Sequence, residues 1–109
     1  MFRVRSANSN VIYGTPQGQL IEAPAGYRAV TAQNGKGLVL LPEGQTLGNN
    51  RNIIRYGEPN AQNPGGYFRY YNAEGNGQAL IPSTGKPGSD PATHIPLDYQ
   101  GPLLGYPGR

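Results

Sequence analysis

Cysteine is absent from this chain, and histidine and methionine occur once each in 109 residues. Without cysteine, neither a disulfide framework nor a thiolate metal site can stabilise so small a domain, and no thiolate nucleophile is at hand. Charge is scarce as well: nine Lys and Arg stand against six Asp and Glu, 14% of the chain, for a net charge of +3 and a pI near 9.4. The basic residues are scattered from Arg3 to Arg109, so the balance points to an acidic partner without the clustered basic face of a dedicated nucleic-acid binder. The opening MFRVRSANSN lacks an apolar stretch of signal-peptide length, and nowhere do about 18 apolar residues run together. A soluble domain with no membrane partner and no export signal of its own is the expectation. Helix patterns are missing too, because Gly, Pro or Asn interrupts each candidate window before two turns can close.

The chain does have 17 glycines, 11 prolines and eight tyrosines. Gly and Pro at about a quarter of the residues would suit disorder, but β-favouring runs recur between them. NVIYG (10–14), QLIEA (19–23), YRAVTA (27–32) and GLVLL (37–41) are separated by TPQG, PAG and QNGK, and Asn-Gly is a strong hairpin signal. A looser stretch, PEGQTLGNNR, reads as a long loop or one short helical turn. NIIRYGEP (52–59), YFRYYN (67–72) and QALIP (78–82) continue the strand pattern. The predicted fold is mainly β, or α+β with little helix. One small domain over 1–109 is built on a twisted antiparallel sheet with long Gly/Pro-rich loops. Residues 1–50 form a β-meander and 51–109 the half that carries an active site.

In YFRYYN, the period of two puts Tyr67, Arg69 and Tyr71 on one face and Phe68 and Tyr70 on the other. A cation between two aromatics can be cross-strand packing with phenols at the rim, or a platform on which bases stack while the arginine meets phosphate. Tyr67 and Tyr70 are the candidate RNA-binding tyrosines. The stretch GKPGSDPATHIPL (85–97) holds the sole histidine, His94, and has too many Pro and Gly for a helix, so a folded-back loop with THIPL as a short strand is expected. Lys86 is either a solvated turn lysine or an anion contact. His94 is either a strand-edge residue bonded to backbone or a functional base, with Thr93 beside it, Lys86 upstream and arginines on the preceding strands.

Several chemistries find no support in the residues. Two-metal hydrolysis needs gathered carboxylates and histidines, yet the six acids lie far apart with no DxD or HxxxH spacing. No serine sits in a GxSxG elbow, and the glycines of GNGQ and GKPGS do not open a helix after a strand as a phosphate loop does. Metal-independent RNA cleavage does fit the inventory: a base takes the 2′-hydroxyl proton, cations stabilise the phosphoryl oxygens, and an acid protonates the departing 5′-oxygen. With one histidine, the second proton transfer falls to a carboxylate such as Glu58, to a lysine or tyrosine, or to water.

The run IIRYGEPNAQNPGGYFRYYNAEGNGQALIPSTGKPGSDPATHIPL carries R-Y-x-E-P-N, P-x-G-Y-x-R-Y-Y-N, G-K-P-G and T-H-I-P elements. Over about residues 52–97 it resembles the C-terminal toxin domains of bacterial polymorphic toxins of the Rhs and contact-dependent-inhibition class. Many of those domains look like metal-independent ribonucleases of the barnase, colicin tRNase and RelE groups. The resemblance implies His94 as general base or acid, and Arg69, Lys86 and Arg55 as stabilisers of phosphate charge. Glu58, Thr93 and Tyr71 follow as secondary catalytic candidates. It also implies no cofactor or metal, an RNA substrate such as tRNA, and an acidic cognate immunity protein. A larger secreted or surface protein would deliver the domain into the cytoplasm of a target bacterium. Barnase-like domains place a helix ahead of the sheet, whereas residues 1–50 here read as β. A noncatalytic β-rich module binding protein or glycan through exposed tyrosines is the alternative, with ADP-ribosyl transfer ranked below both.

Overall fold

The computed structural model describes residues 3–5, 11–14, 18, 20–32 and 37–107. Strands β1 (Arg3–Arg5), β2 (Val11–Gly14) and β3 (Leu20–Ala23) form a three-stranded antiparallel sheet in chain order. A second antiparallel sheet has five strands, again in chain order: β4 (Tyr27–Thr31), β5 (Leu38–Pro42), β6 (Ile54–Gly57), β7 (Tyr67–Tyr70) and β8 (Ile95–Pro96). One helical turn, α1 (Asp90–Thr93), precedes β8. The fold is thus mainly β with little helix, and it is divided between two sheets where one was expected. The break comes at Pro24–Gly26, where Gly26 takes a φ of 84° and the Tyr27 N–H bonds the Pro24 carbonyl at 3.1 Å. That turn carries the chain off the first sheet, so β3 and β4 are not ladder neighbours. Residue 50 marks no structural boundary, because β5 before it pairs with β6 after it, Val39 facing Arg55.

The Asn34–Gly35 turn and most of TPQG lie outside the described residues. The strands that Asn-Gly was expected to join do pair, from Tyr27 opposite Pro42 to Thr31 opposite Leu38. PEGQTLGNNR is a loop, with only an isolated bridge between Leu47 and Asn49. QALIP does not become a strand. It makes two single bridges, Tyr71 to Ala79 and Leu80 to Pro87, because the chain turns at Ile81, whose carbonyl accepts the Thr84 and Gly85 N–H groups, and Pro82 has no N–H to donate. The expected loop at GSDPAT instead closes one helical turn. Ser89 caps it, its hydroxyl accepting the Ala92 N–H at 3.4 Å, and Pro91 falls in the first turn, where a missing N–H has no intrahelical partner to lose.

The continuous apolar run of β5 is explained by burial on both faces of the second sheet, all of Leu38–Leu41 being buried. One face packs Leu38, Leu40, Ile54, Phe68 and Ile95 against Tyr13, Ile21 and Ala23 of the first sheet, so the two sheets share one core. On the other face Val39, Leu41, Ile53 and Tyr71 form a smaller cluster. Tyr70 is 0% exposed, its hydroxyl donates to the Leu104 carbonyl at 2.6 Å, and its ring meets Tyr106 edge-on at 5.1 Å. Tyr70 therefore cannot stack on a base; it ties the C-terminal segment to the core.

Beneath that segment, burial above all, then the neighbouring Tyr106 phenol, pushes the Tyr27 hydroxyl up to about 12. Burial and Tyr106 likewise lift Tyr56 well above its ordinary value. A folded chain holding phenol protons that the unfolded chain releases near its ordinary value of 10.0 is fully stabilised below that pH and loses the advantage as pH climbs towards about 12. Urea midpoints should accordingly fall above pH 10, and fall less steeply in Tyr27→Phe. Tyr70→Phe, which orphans the Leu104 carbonyl, should cost about 1 kcal/mol in urea unfolding at neutral pH.

Candidate active site

Along β7 the pleat sends Phe68 and Tyr70 into the shared core and leaves Tyr67 and Arg69 on the opposite face, as the alternation of the sequence requires. Arg69 faces Arg55 of β6 directly, and Tyr67 faces Gly57. Like charges at facing positions destabilise a sheet, so each guanidinium needs its own compensation. Arg55 directs Nε and Nη2 to one acceptor, Asn50 Oδ1, at 3.3 and 2.9 Å. Arg69 donates from Nη2 to Asp90 Oδ1 at 3.1 Å and to Thr93 Oγ1 at 3.2 Å, and its guanidinium lies 5.5 Å from the Tyr71 ring centre. Arg69 Nε is buried with no hydrogen-bond partner among the described residues. A cleft of about 350 Å³ opens over this pair, lined by Arg55, Arg69, Tyr67, Glu58, Asn60 and Val39 among others.

The turn α1 and the residue after it bring three side chains against Arg69 and Tyr67, which line the cleft. Thr93 is 0% exposed, and its hydroxyl donates to the Ser89 carbonyl at 3.0 Å while accepting from Arg69. Its proton is therefore committed to backbone, and Thr93 positions Arg69. Asp90, with an 82% exposed side chain, supplies the carboxylate for Arg69 from the solvent side. The Asp90 main-chain carbonyl accepts both the His94 main-chain N–H, at 3.1 Å, and the His94 ring at Nδ1. A carbonyl can only accept, so Nδ1 carries the hydrogen and Nε2 is the basic nitrogen of the ring. The imidazole stacks on Tyr67 with centres 4.6 Å apart and a 38° tilt. Tyr67 can lie there because its partner is glycine: a Cβ on Gly57 would come within 2.3 Å of the Tyr67 ring.

His94, Arg69, Arg55, Tyr67 and Glu58 thus surround one end of one sheet face, held by Thr93 and by Tyr71, whose ring is buried beneath Arg69. Lys86 does not join them. It sits exposed in the 81–87 turn, its N–H on Thr84 Oγ1 at 3.2 Å and its carbonyl accepting the Ile81 N–H at 2.8 Å, and it lines neither this cleft nor the cavity beside His94. Asp90, Asn50 and Asn60 are site residues that sequence reasoning passed over. The only local signal for Asp90 was Ser-Asp-Pro, a helix-start pattern; the asparagines read simply as turn formers. Among the described residues no three His, Asp or Glu side chains gather as metal ligands.

No family model, curated protein or solved structure matches the chain in comparisons with each. The cleft therefore has to be interpreted from its own geometry. Thr93→Val keeps the shape of the side chain but leaves an Arg69 donor without its buried acceptor, and should lower stability by about 1–3 kcal/mol in urea titration.

Proposed function

We propose that the chain is a metal-independent endoribonuclease that cleaves RNA to 2′,3′-cyclic phosphate and 5′-hydroxyl ends. The observation that carries this reading is the facing pair Arg55 and Arg69, with a buried, unsatisfied Nε, beside a histidine whose Nδ1 is tied to backbone. A phosphodiester in the cleft supplies negative charge to the facing guanidiniums. His94 Nε2 takes the proton of the 2′-hydroxyl as that oxygen attacks phosphorus. The two guanidiniums stabilise the charge that builds on the nonbridging oxygens, an effect strengthened because they are held by Asn50, Asp90 and Thr93 before substrate arrives. The 5′-oxygen leaves with a proton, for which Glu58, in the same cleft, is the candidate donor. Tyr67 offers a stacking face beside His94, the part first assigned to it, whereas Tyr71 and Thr93 act by positioning Arg69.

The toxin resemblance of residues 52–97 supports the biological setting: delivery by a larger secreted or surface protein into a target bacterium, action on tRNA or other cellular RNA, and neutralisation by an immunity protein. Acidic groups on that protein would pair with Arg55 and Arg69, since complementary potentials speed encounter and set register.

Purified protein incubated with total bacterial RNA in EDTA should yield discrete fragments with cyclic-phosphate ends. His94→Ala should slow cleavage by about 10²–10⁴-fold, and Arg69→Ala or Arg55→Ala by about 10²-fold or more. Lys86→Ala and Tyr70→Phe should stay close to the parent rate. RNA that remains intact with and without added magnesium would sink the nuclease reading and leave an anion-binding β module.

A further inference from the structure

A second cavity, about 440 Å³, lies beside the first and is lined by Asn60, Gln62, Asn63, Asp90, Pro91 and His94. Asn60 lines both, and His94 of the second stacks on Tyr67 of the first. Their chemistry differs: the first presents two guanidiniums, the second three primary amides together with the Asp90 carboxylate, one oxygen of which is engaged by Arg69. The loop that carries the amides is braced by its own backbone. The Asn60 N–H bonds the Asn63 carbonyl at 3.0 Å, the Asn63 N–H bonds Asn60 Oδ1 at 2.7 Å, and the Gly66 N–H bonds the Asn63 carbonyl at 2.9 Å. None of these bonds uses the side-chain amides of Gln62 and Asn63, and neither amide is hydrogen-bonded to any described residue. Two amides with both donor and acceptor free thus border a cavity that also touches the candidate catalytic imidazole.

Resting on the nuclease reading above, we propose that this second cavity is a nucleobase subsite that selects adenine next to the scissile phosphate, with Gln62 and Asn63 as the specificity-determining residues. In a nucleotide, phosphate and base are adjacent and opposite in character, one anionic and one neutral with polar edges. The first cavity offers guanidiniums to the phosphate, and the second offers amide edges to the base. Phosphate contacts give position without sequence, so discrimination has to come from groups that read a base edge. An amide presents a donor and an acceptor side by side, which matches the N6 amino group and N7 of adenine. The Pro91 and His94 rings add flat surface against which an unstacked base can lie. Recognition of this kind needs a splayed, single-stranded nucleotide, so loops of folded RNA are the expected targets.

The test uses four short single-stranded RNAs that differ at one base, cut in EDTA by the parent protein and by Gln62→Ala, Asn63→Ala and the double variant. The matching 2′-deoxy oligonucleotides, which lack the nucleophile, are titrated by fluorescence anisotropy. The adenine substrate should be cut and bound about ten- to a hundredfold better than the others by the parent protein, and this advantage should shrink to about twofold in the double variant. Equal treatment of all four bases, preference for another base, or a preference that survives the double substitution overturns the assignment. Cleavage without base preference removes the subsite and leaves the nuclease standing. Adenine-selective binding that depends on Gln62 and Asn63, with no cleavage, does the reverse.

Discussion

Two arginines on adjacent inner strands, directly across the ladder from one another, repel, and the surroundings of Arg55 and Arg69 are organised by that repulsion. Arg55 is turned to a single amide oxygen of Asn50, while Arg69 is held by a carboxylate, a hydroxyl and an aromatic face together. Two of these restraints, Asp90 and Thr93, reach Arg69 from 21 and 24 residues away on one helical turn, and Tyr71 is its near neighbour on the same face. The ion-pair partner of Arg69 among the described residues, Asp90, stands mostly in solvent. Like charges facing across a ladder breach a local pairing rule, and such breaches gather at functional sites.

The sheet that bears the pair is rigid for a separate reason. Its other face forms a common core with the three-stranded sheet, and the far end of the arginine face is closed by Val39, Leu41, Ile53 and Tyr71. The cleft opens towards the Tyr67 end of that face, with Val39 of the cluster in its lining. Site residues on β6 and β7 inherit the precision of the ladder, and those on α1 and the 58–66 loop inherit it through capping and backbone bonds. The one-turn helix matters beyond its length: Asp90, Thr93 and His94 could not converge on Arg69 and Tyr67 from an extended strand.

Much of this arrangement was legible in the chain. The period of two in YFRYYN correctly separated Tyr67, Arg69 and Tyr71 from Phe68 and Tyr70, because pleating is a local property of any strand. The same reasoning located six of the strands to within a residue or two, and expected THIPL as a final strand, where Ile95–Pro96 is the strand while Thr93 and His94 belong to the helical turn and its cap. Less was visible where a residue's role depends on distant partners. Tyr70 as a base-stacker and Lys86, which the toxin resemblance implied as a phosphate contact, both depend on distant surroundings, and neither burial against Tyr106 nor a turn that lines neither cavity has a local signature. The amides of the 60–63 loop carry no local signal of a site, since Asn and Gln serve backbone and ligand equally well.

By itself, then, the sequence determined a small, cysteine-free, turn-rich β domain, the face on which each β7 side chain lies, and an inventory of one imidazole, several guanidiniums and few carboxylates. Those features follow from composition and from a two-residue period that holds whatever the partner strand. Tertiary structure alone decided that the chain splits into two sheets at Pro24–Gly26, that β6 and β7 pair in the register setting Arg55 against Arg69, and that one capped turn delivers Asp90, Thr93 and His94 to that pair. Register and convergence are long-range properties: they arise from burying both faces of β5 and from pairings between residues far apart in the chain, which no local window contains.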